Sequence, residues 1–357
     1  MRIPSKPEAP SSVSSNALLS SPPPSLSEAQ AESLAKTHFG IVVTATRLTS
    51  ERDANFRLKT SSGVSYVLKI ANPAEDPLVT NLQTKALLHI AAIDADLPVQ
   101  RIYPTLDGVP EYMLPDGTGR HMIVRLFSYL EGEPLHQVES SPALRRNLGT
   151  ALAQLGLALR GFFHPAAGHD LLWDIKNARR MRELLSYIEE PSRRALVELI
   201  LTRFDDHVTP ALPRLRAQIV HNDLNPHNVL VHAQDHSRVT GILDFGDMVH
   251  TPLINDLAVA AAYQLSVQGD PLADAGDFIA AYHAVTPLEP IEIDLLYDLI
   301  GARLATTATI TSWRAARYPE NRAYILRNAP RAWAGLEAFA ALPRAQAQVR
   351  LRRICGL

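Results

Sequence analysis

The chain has 357 residues, 35 basic against 37 acidic side chains for a formal charge of -2, and 46% hydrophobic residues. That near-neutral balance excludes nucleic acid or an anionic membrane as a partner attracted by overall charge, and no apolar run has the length of a membrane span. A single cysteine, Cys355, cannot form an intrachain disulfide, so a reducing, cytoplasmic setting is expected.

Residues 1–26 carry six prolines among many serines and are expected to be a disordered tail. Ser27 and Gln30 have the spacing of a helix-capping pair, which predicts a helix to about His38. The period then changes to that of strands. IVVTATRLTS, NFRLKT and VSYVLKI predict three antiparallel strands, the second and third joined by the turn at Ser61–Gly63. A helix over about Pro77 to Ile93 follows. QRIYP and HMIVRLF predict two more strands around an exposed turn at Pro115–Gly119.

YLEGEP, Tyr129–Pro134, is a polar break after an apolar strand and reads as a lobe boundary. Helical patterns then cover about 142–160, 174–188 and 192–205, and short strands appear in IVHND, NVLVH and VTGILDF. Helices return at about 254–266, 275–285, 289–313 and 329–350. The expected organisation is the tail at 1–26, a nucleotide-binding lobe at 27–128 and a catalytic and substrate-binding lobe at 129–357.

The strongest chemical signal is HNDLNPHN at His221–Asn228, followed by ILDFG at Ile242–Gly246. Phosphoryl transfer needs a hard cation on the phosphates and a carboxylate to orient the attacking hydroxyl. Asp244, at the end of an apolar strand, and the neutral oxygen of Asn228 suit magnesium. Asp223, on a tight loop, suits the hydroxyl and its proton. Spacings among His221, His227 and His250 do not match a compact zinc pattern, and His221 is read as a structural tie for the loop.

In the first lobe, alternation along YVLKI places Lys69 with Val67 on one face, a semi-buried position fit for nucleotide phosphates. The turn SERDANF has no glycine and is no G-x-G-x-x-G loop, but Ser50, Arg52 and backbone amides there can embrace phosphate oxygens. Gln83 stands on the next helix where a carboxylate partner for Lys69 is expected, with Glu75 and Asp76 just before it. The anchor of Lys69 stays open at this point.

HNDLNPHNVLV and GILDFGDM resemble the aminoglycoside phosphotransferase family. LTSERDANFRLK, YVLKIANPAE, LLWDIKNA and GILDFGDMVHTPLINDLAVAAAY resemble its hydroxylysine kinase branch over roughly residues 27–350. The resemblance implies an α+β, bilobal protein-kinase-like fold, with a small antiparallel-sheet N-lobe and a large, mainly helical C-lobe. It implies Asp223 as catalytic residue, Asn228 and Asp244 as magnesium ligands and Lys69 as the nucleotide-phosphate lysine. Ser50 and Arg52 fall in the loop over the phosphates. Phe127–Leu130 matches the hinge that meets the base of ATP or GTP, and Asp256 matches a brace of the catalytic loop.

For the acceptor, Trp173 and Asp174 are candidates beside a plainer reading, a packed tryptophan and a capping aspartate. Asp247 and His250 follow the metal ligand, and a carboxylate there can pair with an acceptor's amino group. Arg303, on an apolar helix face, can pair with an acceptor's carboxylate.

The expected activity is transfer of the γ-phosphate to a small amino alcohol, with 5-hydroxy-L-lysine leading. Homoserine, choline, ethanolamine and aminoglycoside acceptors are the alternatives within the family. The mixed charge of KNARRMRELLSYIEEPSRR weighs against a polycation, while Trp173, Tyr263 and Trp313 leave an aromatic cage for choline open. A kinase-like binding protein without turnover is the alternative from another class, disfavoured by the intact set Lys69, Asp223, Asn228 and Asp244.

Overall fold

The computed structural model describes residues 21, 23–50, 52–266 and 268–357. Most of the tail expected over 1–26 therefore lies outside the described residues. The chain divides into two compact units. One takes in the described residues up to Leu88 together with Gln100–Tyr129, the other His89–Val99 and Leu130–Leu357.

The first unit opens with α1 (Glu28–Phe39), whose capping box is formed by Ser27 and Gln30. Each side chain there satisfies an N–H that the first helical turn leaves without a partner. Next come β1 (Thr44–Leu48), β2 (Ala54–Lys59), β3 (Ser65–Ile70), α2 (Pro77–Ile93), β4 (Ile102–Tyr103), β5 (Tyr112–Pro115) and β6 (His121–Ser128). The sheet runs β1-β2-β3-β6-β4 with β5 also on β6, and every pairing is antiparallel. Ala31, Ala35 and Phe39, four residues apart, put one face of α1 onto the buried side of the sheet, where Phe56, Leu58, Leu68, Ile70 and Val124 lie. Arg47 on β1 donates to the carbonyls of Leu26 and Pro24, at 2.8 and 3.4 Å, and so ties the chain before α1.

The second unit contains β7 (Glu133–Pro134), α3 (Pro142–Ala158), α4 (Pro191–Arg203), β8 (Ala217–Val220), β9 (Val229–His232), β10 (Asp235–Ile242) and β11 (Val249–Pro252). It continues with α5 (Leu253–Ala261), α6 (Leu272–Val285), α7 (Pro290–Arg317), α8 (Ala329–Ala341) and α9 (Arg344–Ile354). Strands β10-β9-β7 form one small sheet and β11-β8 another, and the rest is mainly helical. The layout is the small antiparallel-sheet lobe and large helical lobe of a kinase-like fold. No helix among the described residues is long and apolar enough to cross a membrane.

Several elements differ from expectation. β5 and β11 are additional strands, both ending in proline, which lacks the N–H that a ladder uses. Ile175–Tyr187 is wound as a 3-10 helix, and α4 runs into a π-helical turn over Phe204–Val208. The helix expected over 329–350 is two helices, because Pro343 removes a donor and stands as N-cap of α9. β10 stops at Ile242, so Asp244 lies past the strand rather than at its end.

Candidate active site

Asp223 lies in the loop that leaves β8, and its neighbours fix that loop from several directions. His221 is fully buried; its Nδ1 accepts from the Asp223 N–H at 3.2 Å and its Nε2 meets the Leu243 carbonyl at 3.0 Å. These two bonds make Nε2 the protonated nitrogen. Asp256 on α5 is buried and accepts from the Asn222 N–H at 2.7 Å. Burial pushes the Asp256 carboxyl above its ordinary value, against the pull of His221 and the backbone N–H groups.

Asn222 and Asp244 both adopt left-handed backbone angles, with φ of 64° and 58°. Such angles cost free energy for residues with a Cβ, and Asn and Asp tolerate them best. The bends turn the chain sharply just before Asp223 and at Asp244.

The Asp223 carboxylate is gripped on both oxygens. Oδ2 accepts from Asn225 Nδ2 at 2.9 Å and from Asn228 Nδ2 at 2.8 Å. Oδ1 accepts from Arg303 Nη2 at 3.0 Å. Arg303 comes from the middle of α7 and is only 2% exposed. Its Nη2 also donates to the Tyr263 hydroxyl at 3.1 Å, and its guanidinium carbon lies 5.2 Å from the centre of the Trp173 ring and 5.7 Å from that of Tyr263. Burial, the charge of Asp247 and the weaker charge of Asp244 push the Asp223 carboxyl up to about 7, against Arg303 and Asn225, which hold it down.

Asn228 uses its amide nitrogen on Asp223, which turns its amide oxygen the other way. The backbone of Asn228 accepts from the Leu243 N–H at 2.8 Å, which ties it to the segment that carries Asp244. Asp244 is exposed and takes the Gly246 N–H on Oδ1 at 3.1 Å. One carboxylate and one amide oxygen are hard donors that fit magnesium with phosphate oxygens completing its shell. Among the described residues no group of three or more His, Cys, Asp or Glu side chains can hold a metal ion by itself.

The other acceptor candidates separate. Trp173 and Asp247 belong to the Asp223–Arg303 neighbourhood. Asp174 does not: it caps the 3-10 helix by accepting from the Lys176 N–H at 3.1 Å, and it takes the Thr251 hydroxyl at 2.8 Å and Lys176 Nζ at 2.8 Å. His250 is exposed on β11 and lines a different cavity, with Phe163 and His164. An aromatic cage for choline is also disfavoured, since the protein's own Arg303 lies over the rings of both Trp173 and Tyr263.

In the first unit, Lys69 Nζ pairs with Asp53 Oδ2 at 2.9 Å. Asp53 is held in turn by the Asn72 N–H at 3.0 Å, while its own N–H donates to Ser50 Oγ at 3.3 Å. Burial pushes the Asp53 carboxyl up, but Lys69, Arg52 and the Asn72 N–H outweigh it and leave it below its ordinary value. Asn72 also donates to the Arg52 carbonyl at 3.0 Å, so one asparagine ties the β1–β2 turn to the end of β3. Gln83 is engaged elsewhere: its amide oxygen accepts from Arg125 Nη2 at 3.1 Å. Arg125 stands opposite Lys69 in the β3–β6 register. Asp76 accepts from the Leu78 N–H at the start of α2. Phe127 is buried on β6, and Leu130, in the second unit, is half-buried.

Asp53 and Asn225 were not singled out from the sequence, and Tyr263 was named there only for an aromatic cage, not as a partner of Arg303. Asp53 and Asn225 look like turn formers, and only Asn225's place inside HNDLNPHN set it apart.

Comparison with known proteins gives concordant matches. The sequence profile of the Phosphotransferase enzyme family matches residues 44–287. Hydroxylysine kinase of Mus musculus is 28% identical over 337 residues, covering 88% of this chain and 89% of its own. Hydroxylysine kinase of Danio rerio is 30% identical over 318 residues, covering 85% and 88%. Among solved structures, an amicoumacin kinase in complex with AMP-PNP, Ca2+ and Ami has a TM-score of 0.66 at 15% identity, covering 90% of this chain and 97% of that one. The last likeness concerns the fold.

Proposed function

This chain belongs to the Phosphotransferase enzyme family, and we propose that it moves the γ-phosphate of ATP or GTP to the hydroxyl of 5-hydroxy-L-lysine. Membership makes it a small-molecule phosphotransferase with an alcohol acceptor; the acceptor, the donor and the residue roles are our reading. The single observation that carries it is the Asp223 carboxylate, held by Arg303 on one oxygen and by Asn225 and Asn228 on the other. A carboxylate fixed in this way presents Oδ1 to an incoming hydroxyl with little freedom left to lose.

In this reading Asp223 accepts a hydrogen bond from the acceptor hydroxyl, aims its oxygen at the γ-phosphorus and takes its proton as the new O–P bond forms and the bond from the γ-phosphorus to the β–γ bridging oxygen breaks, releasing the nucleoside diphosphate. Its raised pKa suits a group that takes up a proton near neutral pH. Asn228 and Asp244 hold magnesium, which neutralises phosphate charge when bound. Lys69, steadied by Asp53, binds nucleotide phosphates, with Ser50 and Arg52 in the β1–β2 turn that also carries Asp53. Phe127 and Leu130 meet the nucleotide base. Trp173, Asp247 and Arg303 form the acceptor side, where Asp247 faces the acceptor's amino group. The first unit is the nucleotide-binding lobe and the second carries catalysis and the acceptor. Support for hydroxylysine comes from the mouse and zebrafish relatives, both hydroxylysine kinases and aligned over most of the chain. The amicoumacin kinase of similar fold, in complex with AMP-PNP and Ca2+, supports a nucleoside triphosphate with a divalent cation.

The test mixes the purified protein with magnesium and either ATP or GTP, then follows nucleoside-diphosphate release over 5-hydroxylysine, homoserine, choline, ethanolamine and several aminoglycosides. The expected product is hydroxylysine heavier by one phosphoryl group by mass spectrometry. Transfer confined to another acceptor removes hydroxylysine from the proposal, and no nucleotide binding by folded protein removes the kinase reading.

A further inference from the structure

Beside the catalytic loop, and wholly within the second unit, lies a cavity of about 170 Å³. Its polar wall includes Arg303, Arg331, His136, His227, Tyr263 and Gln264, and no Asp or Glu lines it. Four nitrogen-bearing basic side chains with no carboxylate among them favour an anionic group and offer an ammonium group no counter-charge.

Arg303 adds an observation of its own. It is 98% buried by its 2% exposure, and its Nε and Nη1 find no hydrogen-bond acceptor in the protein, although Nη2 is bonded to Asp223 and Tyr263. A buried guanidinium with two unmatched donor nitrogens is costly unless something supplies acceptors. Arg331, at the rim, is exposed and keeps one nitrogen on the Tyr263 carbonyl at 2.8 Å. The rings of His136 and His227 lie 4.2 Å apart, tilted by 38° to each other, and form another part of the wall.

Resting on the kinase reading above, we infer that this cavity is the receptor for the acceptor's carboxylate, with Arg303 and Arg331 as its cationic ligands and His136 and His227 as flanking hydrogen-bond partners. Arg303 then links the two ends of one substrate. One edge of its guanidinium meets Asp223, where the hydroxyl reacts, and the same side chain walls the pocket for the carboxylate. A hydroxyl on the Asp223 carboxylate and a carboxylate on the unmatched donors of Arg303 have the guanidinium between them and lie more than one hydrogen-bond length of about 2.9 Å apart. That asks for a spacer of several carbons between the two groups. The carboxylates of Asp223, bonded to Arg303, and of Asp247, close enough to act on both by charge, lie outside this basic wall, so the ends of a zwitterionic amino acid each find a counter-charge. The volume also discriminates: about 170 Å³ lies below the roughly 300–1,000 Å³ of pockets for drug-sized ligands and suits the end of one amino acid, not a multi-ring aminoglycoside.

The test compares 5-hydroxylysine with 1,5-diaminopentan-2-ol, the same molecule without its carboxylate. Binding to the full-length protein is measured by calorimetry, and phosphoryl transfer by mass spectrometry. We expect hydroxylysine to bind at least tenfold more tightly, and Arg331→Gln to shrink that ratio threefold or more with an unchanged melting temperature. Equal binding of the two, binding of neither, or a ratio that Arg331→Gln leaves untouched overturns the carboxylate receptor, even where both compounds are phosphorylated and the kinase reading stands. Carboxylate-dependent binding without phosphoryl transfer supports the receptor and overturns hydroxylysine as the substrate.

Discussion

Arg303 donates to Asp223 at 3.0 Å across 80 residues of sequence, so a helix late in the chain holds a loop residue by one oxygen while that loop's own asparagines hold the other. The Asp223→Asn variant keeps the shape and most of the hydrogen bonds but loses the proton acceptor. Its kcat is expected to fall about 10²- to 10⁴-fold, the ordinary contribution of a positioned base. Removing the negative charge also leaves Arg303 buried without its counter-ion, so the melting temperature falls as well. Steady-state kinetics beside circular dichroism checks both; a kcat within tenfold of the parent refutes the role given to Asp223.

The pair between Lys69 and Asp53 leads to a second expectation. Asp53→Asn frees the lysine to sample other rotamers, while the sheet that carries it is unchanged. A partly exposed ion pair contributes up to about 1 kcal/mol, and about 1.4 kcal/mol is a factor of ten. KM for the nucleotide should therefore rise by up to about fivefold, and clearly more than twofold, with KM for the acceptor within twofold. A rise confined to the acceptor KM contradicts the phosphate role of Lys69.

Two glycines of α3 predict opposite signs of stability change. A Cβ at Gly149 lies 2.2 Å from the Phe278 carbonyl oxygen on α6, whereas one at Gly156 meets nothing closer than 4.0 Å. Gly149→Ala forces backbone apart and is expected to cost about 1–3 kcal/mol. Gly156→Ala gains helix propensity, about 1 kcal/mol at most. Thermal melts read the difference directly, and equal shifts in the two variants exclude close backbone packing of α3 on α6 as the cause.

Cys355 is buried, and burial pushes its thiol up to about 11. The thiolate is the form that alkylates, so at pH 8 about one native molecule in a thousand carries it, against about a quarter of unfolded chains. Iodoacetamide is expected to modify native protein at least ~100-fold more slowly than denatured protein, with the native rate climbing as the pH rises toward 11. Equal rates at pH 8 contradict the burial of this residue.

Local chemistry was the legible part of this chain. Ser27 and Gln30 announce their helix because a capping box is complete within four residues. The loop from His221 to Asn228 is recognisable because its bonds close within a few positions, apart from those to Asp256, Leu243 and Arg303. What stayed hidden depends on tertiary reach. Arg303 was visible as an arginine on an apolar helix face, but its contacts with Asp223 and Tyr263 span 80 and 40 residues. Asp53 carries the signature of a turn former, so nothing local distinguishes it from Glu75 or Asp76 as the partner of Lys69. The break at Pro343 was readable, since a proline inside a helical pattern is a stop signal. Asp174 shows the converse: the capping geometry suggested by its sequence position leaves it little to offer an acceptor.

The position of Arg303 within α7 has one more consequence. The helix has 28 residues, about 42 Å of rise, and is buried along nearly all of it from Glu292 to Ala315. Amide hydrogens there open to solvent only with large-scale unfolding, so the backbone around residue 303 should be among the slowest in the protein to exchange with deuterium. A loop-mounted cation can shift by an ångström to meet a misfit ligand, but one on this helix cannot. Under the acceptor role proposed for Arg303, changing acceptor preference is a matter of replacing side chains against a fixed backbone, and loop grafting elsewhere will leave the position of residue 303 where it is.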